Sequence, residues 1–192
     1  MIPHHTLSYD YTSPACGVNA SAGKNGNRVG FTDDFDGAVT SVAYCYDHAD
    51  RLTGTTVTNA PTGASPVAGG NLTMTGPNAS LGYDEHGSTT RLADQTLSYD
   101  VADRHVGTVL DDGTTITYTL DATGRMVART VTGSPDTGEN RTIRYLAGGG
   151  IADDTGAVLQ WTFSLPGGVT LVRNTDDTES WGYPNLHGDN II

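Results

Sequence analysis

Apolar and polar residues alternate with a period of two along much of the sequence. Ile116, Tyr118 and Leu120 alternate with three threonines, a pattern typical of a half-buried β-strand. The longest stretches without Gly or Pro, 38–53 and 88–106, show the same alternation and lack the apolar stripe of a helix. The sequence therefore predicts an all-β fold with little or no helix.

A short unit recurs along the chain: an apolar or threonine-rich strand, an aromatic residue at or shortly before an Asp, a tight turn, and an Arg. In three copies the Arg follows the Asp by four positions. In a fourth copy Arg91 follows Asp84 by seven positions, so the geometry of that turn is left open. The signature residues are Tyr46, Asp47 and Arg51; Tyr83 and Asp84; Tyr99, Asp100 and Arg104; and Tyr118, Asp121, Gly124 and Arg125.

The repeated unit has a physical interpretation. An Asp side chain bonds its own backbone in a turn, Gly supplies positive φ, and Thr, Val, Ile and Tyr suit a pleated, half-buried surface. Each unit is therefore a strand, a turn and a second strand. A single hairpin cannot bury its apolar face, so repetition implies antiparallel hairpins joined into one continuous sheet.

The motif resembles the YD-repeat (Rhs-repeat) family, whose consensus is roughly Tyr-Asp, two or three variable residues, Gly-Arg and a strand. Members include the Rhs polymorphic toxins, the BC components of insecticidal toxin complexes, and the teneurins. The resemblance covers about residues 9–189. It implies a curved, spiralling sheet that forms a segment of a hollow shell, which in the bacterial toxins encloses a C-terminal toxin domain.

The chain is interpreted as one repeat segment, 1–192, and as a fragment of a larger shell. Two ranges interrupt the repeats. Residues 13–27 are rich in small and turn residues, which predicts a flexible surface loop. Residues 59–70 offer almost nothing to bury, which predicts a disordered or protruding insertion.

Composition and charge restrict the partners. With 10 basic and 22 acidic residues, the net charge of -12 argues against nucleic acid and against an anionic membrane surface. The hydrophobic content of 36% argues against one dense core. No apolar run approaches the roughly 18 residues of a membrane helix, so membrane insertion is not expected.

The sequence leaves the state of its two cysteines open. Cys16 and Cys45 fit either a disulfide that joins the first segment to the first full repeat, or two free thiols. The N-terminal residues lack the pattern of a signal peptide. The resemblance implies a secreted or cell-surface bacterial protein, whose export signal would then lie outside this chain.

Catalytic chemistry has little support in the sequence. Six histidines are scattered, and no nucleophile, zinc-binding or phosphate-loop motif occurs. We expect no enzyme activity, no cofactor and no metal. The resemblance implies that the partners are further repeats or a C-terminal effector domain of the same polypeptide. The alternative is a repeat module that binds a cell-surface glycan or protein.

Each signature position has a predicted structural role. Asp47, Asp100 and Asp121 should accept backbone N–H bonds in their turns. The three arginines that follow them by four positions could pair with carboxylates of adjacent repeats. The tyrosines should form a ladder across neighbouring strands. Their burial separates the two functions, since shell tyrosines would be mostly buried and glycan-binding tyrosines exposed in a groove. The ladder comprises Tyr46, Tyr83, Tyr99, Tyr118 and Tyr145.

Overall fold

Strands account for 48% of the residues and helical turns for 8%, so the all-β prediction is confirmed. The computed structural model describes residues 4–184 and 190–191, and the last part of the sequence resemblance, 185–189, lies outside them. The chain divides into two units, Met1–Leu97 and Ser98–Ile192, where the sequence interpretation has a single segment. Each unit is described by itself.

Unit 1 contains a five-stranded sheet followed by a meander. Strand β1 pairs with β3, β3 with β4 and β4 with β5, all antiparallel, while the short β2 is parallel to β4. Strands β6, β7 and β8 pair in chain order, also antiparallel. The strands are β1 His5–Asp10, β2 Cys16–Gly17, β3 Gly30–Phe35, β4 Ala38–Tyr46, β5 Leu52–Thr58, β6 Leu81–Tyr83, β7 Thr89–Leu92 and β8 Gln95–Tyr99, which crosses the unit boundary.

The core of unit 1 consists of two small clusters. Ala22 and Tyr46 belong to the first, which also contains Ala15 and Val29. The second cluster is formed by Leu72, Leu81 and Ala93. These clusters are small because the sequence has few large apolar residues to bury, as its composition indicates.

The range 13–27 is more ordered than predicted. It contains β2 and a one-turn 3-10 helix, Ala22–Asn25, and Ala22 is 0% exposed. The prediction of a surface loop is therefore wrong for Ala15 and Ala22, which are both buried. Small residues allow the segment to lie close to the sheet, a role that composition alone does not distinguish from a solvated loop.

The insertion 59–70 also forms a local structure. It contains a short helix, α1 Pro66–Gly69, whose first turn is capped by Ser65, because the Ser65 Oγ accepts the Ala68 N–H at 3.3 Å. Val67 packs against the second cluster. No residue of this helix is fully buried, and Val67 is partly buried, so the insertion contributes little to the core.

Cys16 and Cys45 form a disulfide, which settles the alternative left open by the sequence. The two residues are also register partners in the parallel pair of β2 and β4. The bond closes a loop with a sequence separation of 29 residues.

Unit 2 is a succession of antiparallel hairpins in chain order from β9 to β17. The predicted alternation is confirmed in β10, where Ile116, Tyr118 and Leu120 are half-buried and Thr117 and Thr119 are exposed. The strands are β9 His105–Leu110, β10 Thr115–Leu120, β11 Met126–Thr132, β12 Thr142–Tyr145, β13 Gly150–Ala152, β14 Val158–Ser164, β15 Thr170–Asn174, β16 Glu179–Pro184 and β17 Asn190–Ile191, with 3-10 turns at Thr137–Glu139 and Pro166–Gly168.

The buried side chains of unit 2 are small or medium in size. They include Thr108, Thr114, Ala128, Val131 and Ala152. The hairpins of unit 2 are therefore stabilised mainly by backbone pairing and by their turns.

Among the residues that the structure describes, no helix is long and apolar enough to cross a membrane.

Leu81→Ala is expected to lower the free energy of unfolding by about 2–5 kcal/mol, because Leu81 is only 3% exposed and its loss leaves a cavity in the second cluster. Urea denaturation followed by circular dichroism measures the change. The control is Val101→Ala at a fully exposed position, which should change stability by less than about 0.5 kcal/mol. Equal effects of the two substitutions would show that the cluster does not stabilise the fold.

Candidate functional site

The four signature aspartates each close the same five-residue turn. In every copy the Asp Oδ1 accepts the backbone N–H groups two and four positions later, at 2.8 to 3.1 Å. The Asp N–H donates to the carbonyl four positions later, and the Asp carbonyl accepts the N–H three positions later. The predicted role of Asp47, Asp100 and Asp121 is thus what the structure shows, and Asp84, whose turn the sequence left open, forms the same bonds.

The fourth residue of each turn has a positive φ. In the last copy it is Gly124, with φ of +82°, and in the preceding copy it is Asp103, with φ of +57°. Only Gly adopts this conformation without steric cost, and Asp tolerates it better than most residues. A register shift beside the turn, seen between Thr119 and Leu120, marks the bulge that lets the two strands continue as a twisted hairpin.

The signature arginines bind the carboxylate of their own turn. The guanidinium of Arg51 lies 2.8 Å from Asp47 Oδ2, and that of Arg104 lies 2.7 Å from Asp100 Oδ2. Arg125 is more loosely placed, with Nε 3.3 Å from the Asp121 carboxylate. The prediction that these arginines pair with adjacent repeats is wrong, because the fifth residue of the turn lies directly opposite the first.

Two turns extend the pattern beyond the clear copies. Asp84 has no Arg at the fifth position, yet Ser88 donates its N–H to Asp84 Oδ1 at 2.9 Å. The geometry of this turn, which the sequence left open, is therefore the same as in the other three copies. Asp153 closes a further copy that the sequence analysis missed, with Ala157 as its fifth residue. The Asp and Gly spacing of that segment was the available signal.

The tyrosines of unit 1 connect one repeat to the preceding segment. Tyr83 donates its hydroxyl to the Leu52 carbonyl at 2.9 Å, while the Arg51 guanidinium lies 5.5 Å from the centre of the Tyr83 ring. Tyr46 donates in the same way to the Arg28 carbonyl at 2.7 Å. Tyr83 therefore binds the backbone carbonyl of the residue directly after Arg51, and Tyr46 binds the backbone carbonyl of Arg28 itself.

In unit 2 a histidine lies between two tyrosines of the predicted ladder. The ring of His105 lies 5.6 Å from Tyr99 and 5.0 Å from Tyr118, measured between ring centres. The stack thus includes His105, which the sequence analysis did not assign to it. The Arg104 side chain also lies against the next turn, since a Cβ added to Gly124 would be 3.5 Å from Arg104 Cδ.

Burial of the signature tyrosines favours their structural role. Tyr46 is 9% exposed, and Tyr83, Tyr99 and Tyr118 are half-buried. Tyr145, the last member of the predicted ladder, is exposed. Most of these rings contact other parts of the chain through the hydrogen bonds and ring contacts described above.

The turn hydrogen bonds lower the pKa of Asp47, Asp100, Asp121 and Asp153. For Asp47 the main cause is the Arg51 backbone N–H, and for Asp100 it is the Arg104 side chain. For Asp121 the main cause is the hydroxyl of Thr123, which donates to the carboxylate and lowers its pKa. Asp153 has a lowered pKa for the equivalent reason, a bond from Thr155. The carboxylates are therefore held in the charged form by the folded turn.

The described residues contain no group of three or more His, Cys, Asp or Glu side chains that is arranged to hold a metal ion. Each signature turn lies at the end of its own hairpin. The expectation that the chain has no enzyme activity stays a prediction.

No family model and no curated protein matches the chain. Among solved structures, a Photorhabdus luminescens Tc holotoxin pore with a TccC3 mutation is similar at a TM-score of 0.49 and 15% identity. A TcdB2-TccC3-Cdc42 structure gives 0.48 and 13%, and a TcdB2-TccC3 structure gives 0.46 and 14%.

Each of these alignments covers 98% of this chain and 10% of the other chain, so the chain spans about a tenth of the length of the structures it resembles. Identities and TM-scores of this size do not assign the chain to a family. The YD-repeat resemblance stays an interpretation of the sequence.

Asp153→Ala is expected to lower the thermal midpoint of unfolding, because the Thr155 and Ala157 N–H groups lose their acceptor. The matched control is Asp154→Ala, which removes an exposed carboxylate from the same turn. Thermal melts of the two variants measure the difference. A midpoint for Asp153→Ala that equals that of Asp154→Ala would contradict the role of the turn bond.

Acid is expected to destabilise the protein through these turns. The pKa values of Asp47, Asp100, Asp121 and Asp153 are lowered in the folded protein. As the pH falls, the unfolded chain therefore binds protons at a higher pH than the folded protein does. Their stabilisation is fully present above the unfolded pKa of about 4, and it is lost as the pH falls through the lower folded values.

Thermal midpoints recorded between pH 7 and pH 2 test this expectation. The midpoint should change little down to about pH 5 and then fall. Replacement of the same four aspartates by Asn should flatten the acidic limb of the profile. An unchanged acidic limb in that variant would assign the acid sensitivity to other groups.

Proposed function

We propose that the chain is a non-enzymatic structural segment of a β-repeat shell that encapsulates or presents a C-terminal effector of the same polypeptide. The protein would be secreted by a bacterium or carried on its surface. Its partners would be further repeats on the same polypeptide and the effector domain. This function follows from the YD-repeat resemblance of the sequence, and the geometry of the turns supports it.

The observation that carries the proposal is the recurrence of one turn whose side chains also contact a neighbouring repeat. Arg51 closes its own turn and lies over the Tyr83 ring, and Arg104 closes its own turn and lies against Gly124. A repeat that contacts only its neighbours can be added many times, because each added copy forms the same contacts as the copy before it. This is the property needed to build an extended wall from a short sequence unit.

The thin core fits the same role. The buried residues of both units are few and mostly small, so the sheets are stabilised by pairing more than by a central core. A wall requires this construction, because one sheet must separate two environments and cannot fold around a core of its own. An acidic surface, with a net charge of -12, would keep such a wall soluble.

A second function, binding of a cell-surface glycan or protein, is favoured by one surface. Trp161 and Phe163 on β14 share a face with Trp181 and Tyr183 on β16, and all four side chains are partly exposed. Leu171 on β15 lies between the strands, in register with Phe163 and Trp181. Aromatic side chains of this kind supply contact area to sugars and to proteins.

The test is made on the native polypeptide. Mass spectrometry of the native protein, or its open reading frame, should give a much longer chain with further Tyr-Asp repeats and a distinct C-terminal domain. In that protein the C-terminal domain should resist added protease until denaturant opens the repeats. The same domain expressed alone is the control and should be cleaved rapidly.

A native polypeptide that ends near Ile192 would refute encapsulation. So would a C-terminal domain that is cleaved equally fast in the native protein and alone. Calorimetric titration of neutral oligosaccharides then tests the second function. Binding that is lost in Trp181→Ala would support it.

A further inference from the structure

Residues 11–29, called the strap here, connect β1 to β3 and fold back over the end of β4. The strap contains β2 and the 3-10 helix Ala22–Asn25. Its only covalent attachment between its two ends is the disulfide from Cys16 to Cys45 of β4.

The strap covers the open end of β4. Strand β3 pairs with β4 only up to Ala43, so the last residues of β4 extend past it. The strap supplies the missing partners there: Tyr44 donates its N–H to the Val29 carbonyl, and the Tyr46 carbonyl accepts the Asn19 N–H, both at 3.1 Å. An uncovered strand end of this kind would expose unpaired backbone groups.

The strap also holds the first aspartate turn. Asn19 Nδ2 donates to Asp50 Oδ1 at 2.9 Å, and Asn25 Nδ2 donates to both Asp50 oxygens at 3.0 and 3.1 Å. Asp50 is the residue of that turn with positive φ, at +60°. The strap therefore supports the one residue of the turn whose backbone is least favourable for a side chain.

The strap buries few apolar side chains against the rest of unit 1. Its buried apolar side chains are Ala15, Ala22 and Val29, and most of its other residues are exposed. Gly17 lets the strap approach β4 closely, because a Cβ at this position would collide with the Tyr46 backbone, whereas the close approach of Gly23 is to Tyr11 inside the strap. Close backbone approach brings little apolar area, so the disulfide is the strongest single attachment of the strap.

We propose that the Cys16–Cys45 disulfide is a redox latch for the strap. In the oxidised protein the strap is closed over Tyr46 and the first turn. In the reduced protein the strap detaches, and the end of β4 and Tyr46 become accessible. Both cysteines are half-buried, so neither residue is fully enclosed.

The reductant is a dithiol, and the exchange is balanced. Its thiolate attacks one Sγ atom, the S–S bond breaks, and the released cysteine thiolate takes up a proton. The second thiol of the reductant then attacks the mixed disulfide and releases the other cysteine. Two electrons and two protons reach the protein, and the reductant ends as a cyclic disulfide. The latch involves unit 1 alone and is independent of the shell proposal.

The sequence provides a specific probe of the strap. Lys24 is the only lysine of the chain, and it lies exposed in the 3-10 helix of the strap. A lysine-specific endoproteinase therefore has one site, and cleavage there needs the strap to open locally. The fragments are separated on a reducing gel, since Cys16–Cys45 would otherwise hold them together.

Treatment with dithiothreitol is expected to raise the cleavage rate at Lys24 by about tenfold or more. A double variant, Cys16→Ser with Cys45→Ser, should be cleaved at the fast rate with or without reductant. The control is the cut at Arg125 in unit 2 by an arginine-specific protease, followed through the fragment that ends at Arg125, and the rate of this cut should not change on reduction.

Two results would overturn the latch. An unchanged rate at Lys24 after complete reduction, verified by thiol titration, would show that hydrogen bonds and packing hold the strap without the disulfide. An equal acceleration at Lys24 and Arg125 would show general unfolding and no local opening. The double variant is not essential to the test, because the reduced natural protein gives the same comparison if the variant fails to fold.

Discussion

The bonds from two backbone amides to one Asp carboxylate close five hairpins of this protein. When the carboxylate accepts the N–H groups two and four positions ahead, it fixes the reversal of the chain within five residues. The bonds are strengthened by the negative charge of the acceptor, and the folded turn keeps that charge by lowering the carboxyl pKa. The turn is thus specified locally and does not require a buried core to form.

The Arg at the end of the turn connects that turn to the next one along the chain. Its guanidinium pairs with the Asp of its own turn, which holds the side chain extended over the surface. From there it reaches the Tyr83 ring in one case and the neighbourhood of Gly124 in the other. Stability in such an arrangement is shared between the individual turns and the contacts between neighbours, as in other repeat proteins.

A fold stabilised in this way leaves much of its apolar surface partly exposed. Unit 1 has two small clusters, and the buried side chains of unit 2 are small or medium-sized. The strap is the place where the chain adds further support, because there a strand end would otherwise lack partners. The disulfide, the two Asn contacts to Asp50 and the buried Ala22 all act at that point.

The sequence by itself determined the features that depend on near neighbours in the chain. Strand alternation, the all-β class and the roles of Asp47, Asp100 and Asp121 follow from periodicity and from turn chemistry, both of which act over a few residues. The fourth turn at Asp84 and the copy at Asp153 use the same bonds, although their fifth residues are Ser88 and Ala157.

The tertiary structure decided which residues far apart in the chain meet. It alone shows that Cys16 reaches Cys45, that Ala22 of the strap is buried, and that His105 lies between two tyrosines. These contacts depend on which strands become neighbours and on how closely small residues let the backbone approach. A composition rich in Gly, Ala and Ser fits a solvated loop and a closely packed strap equally well, so only the three-dimensional arrangement separates them.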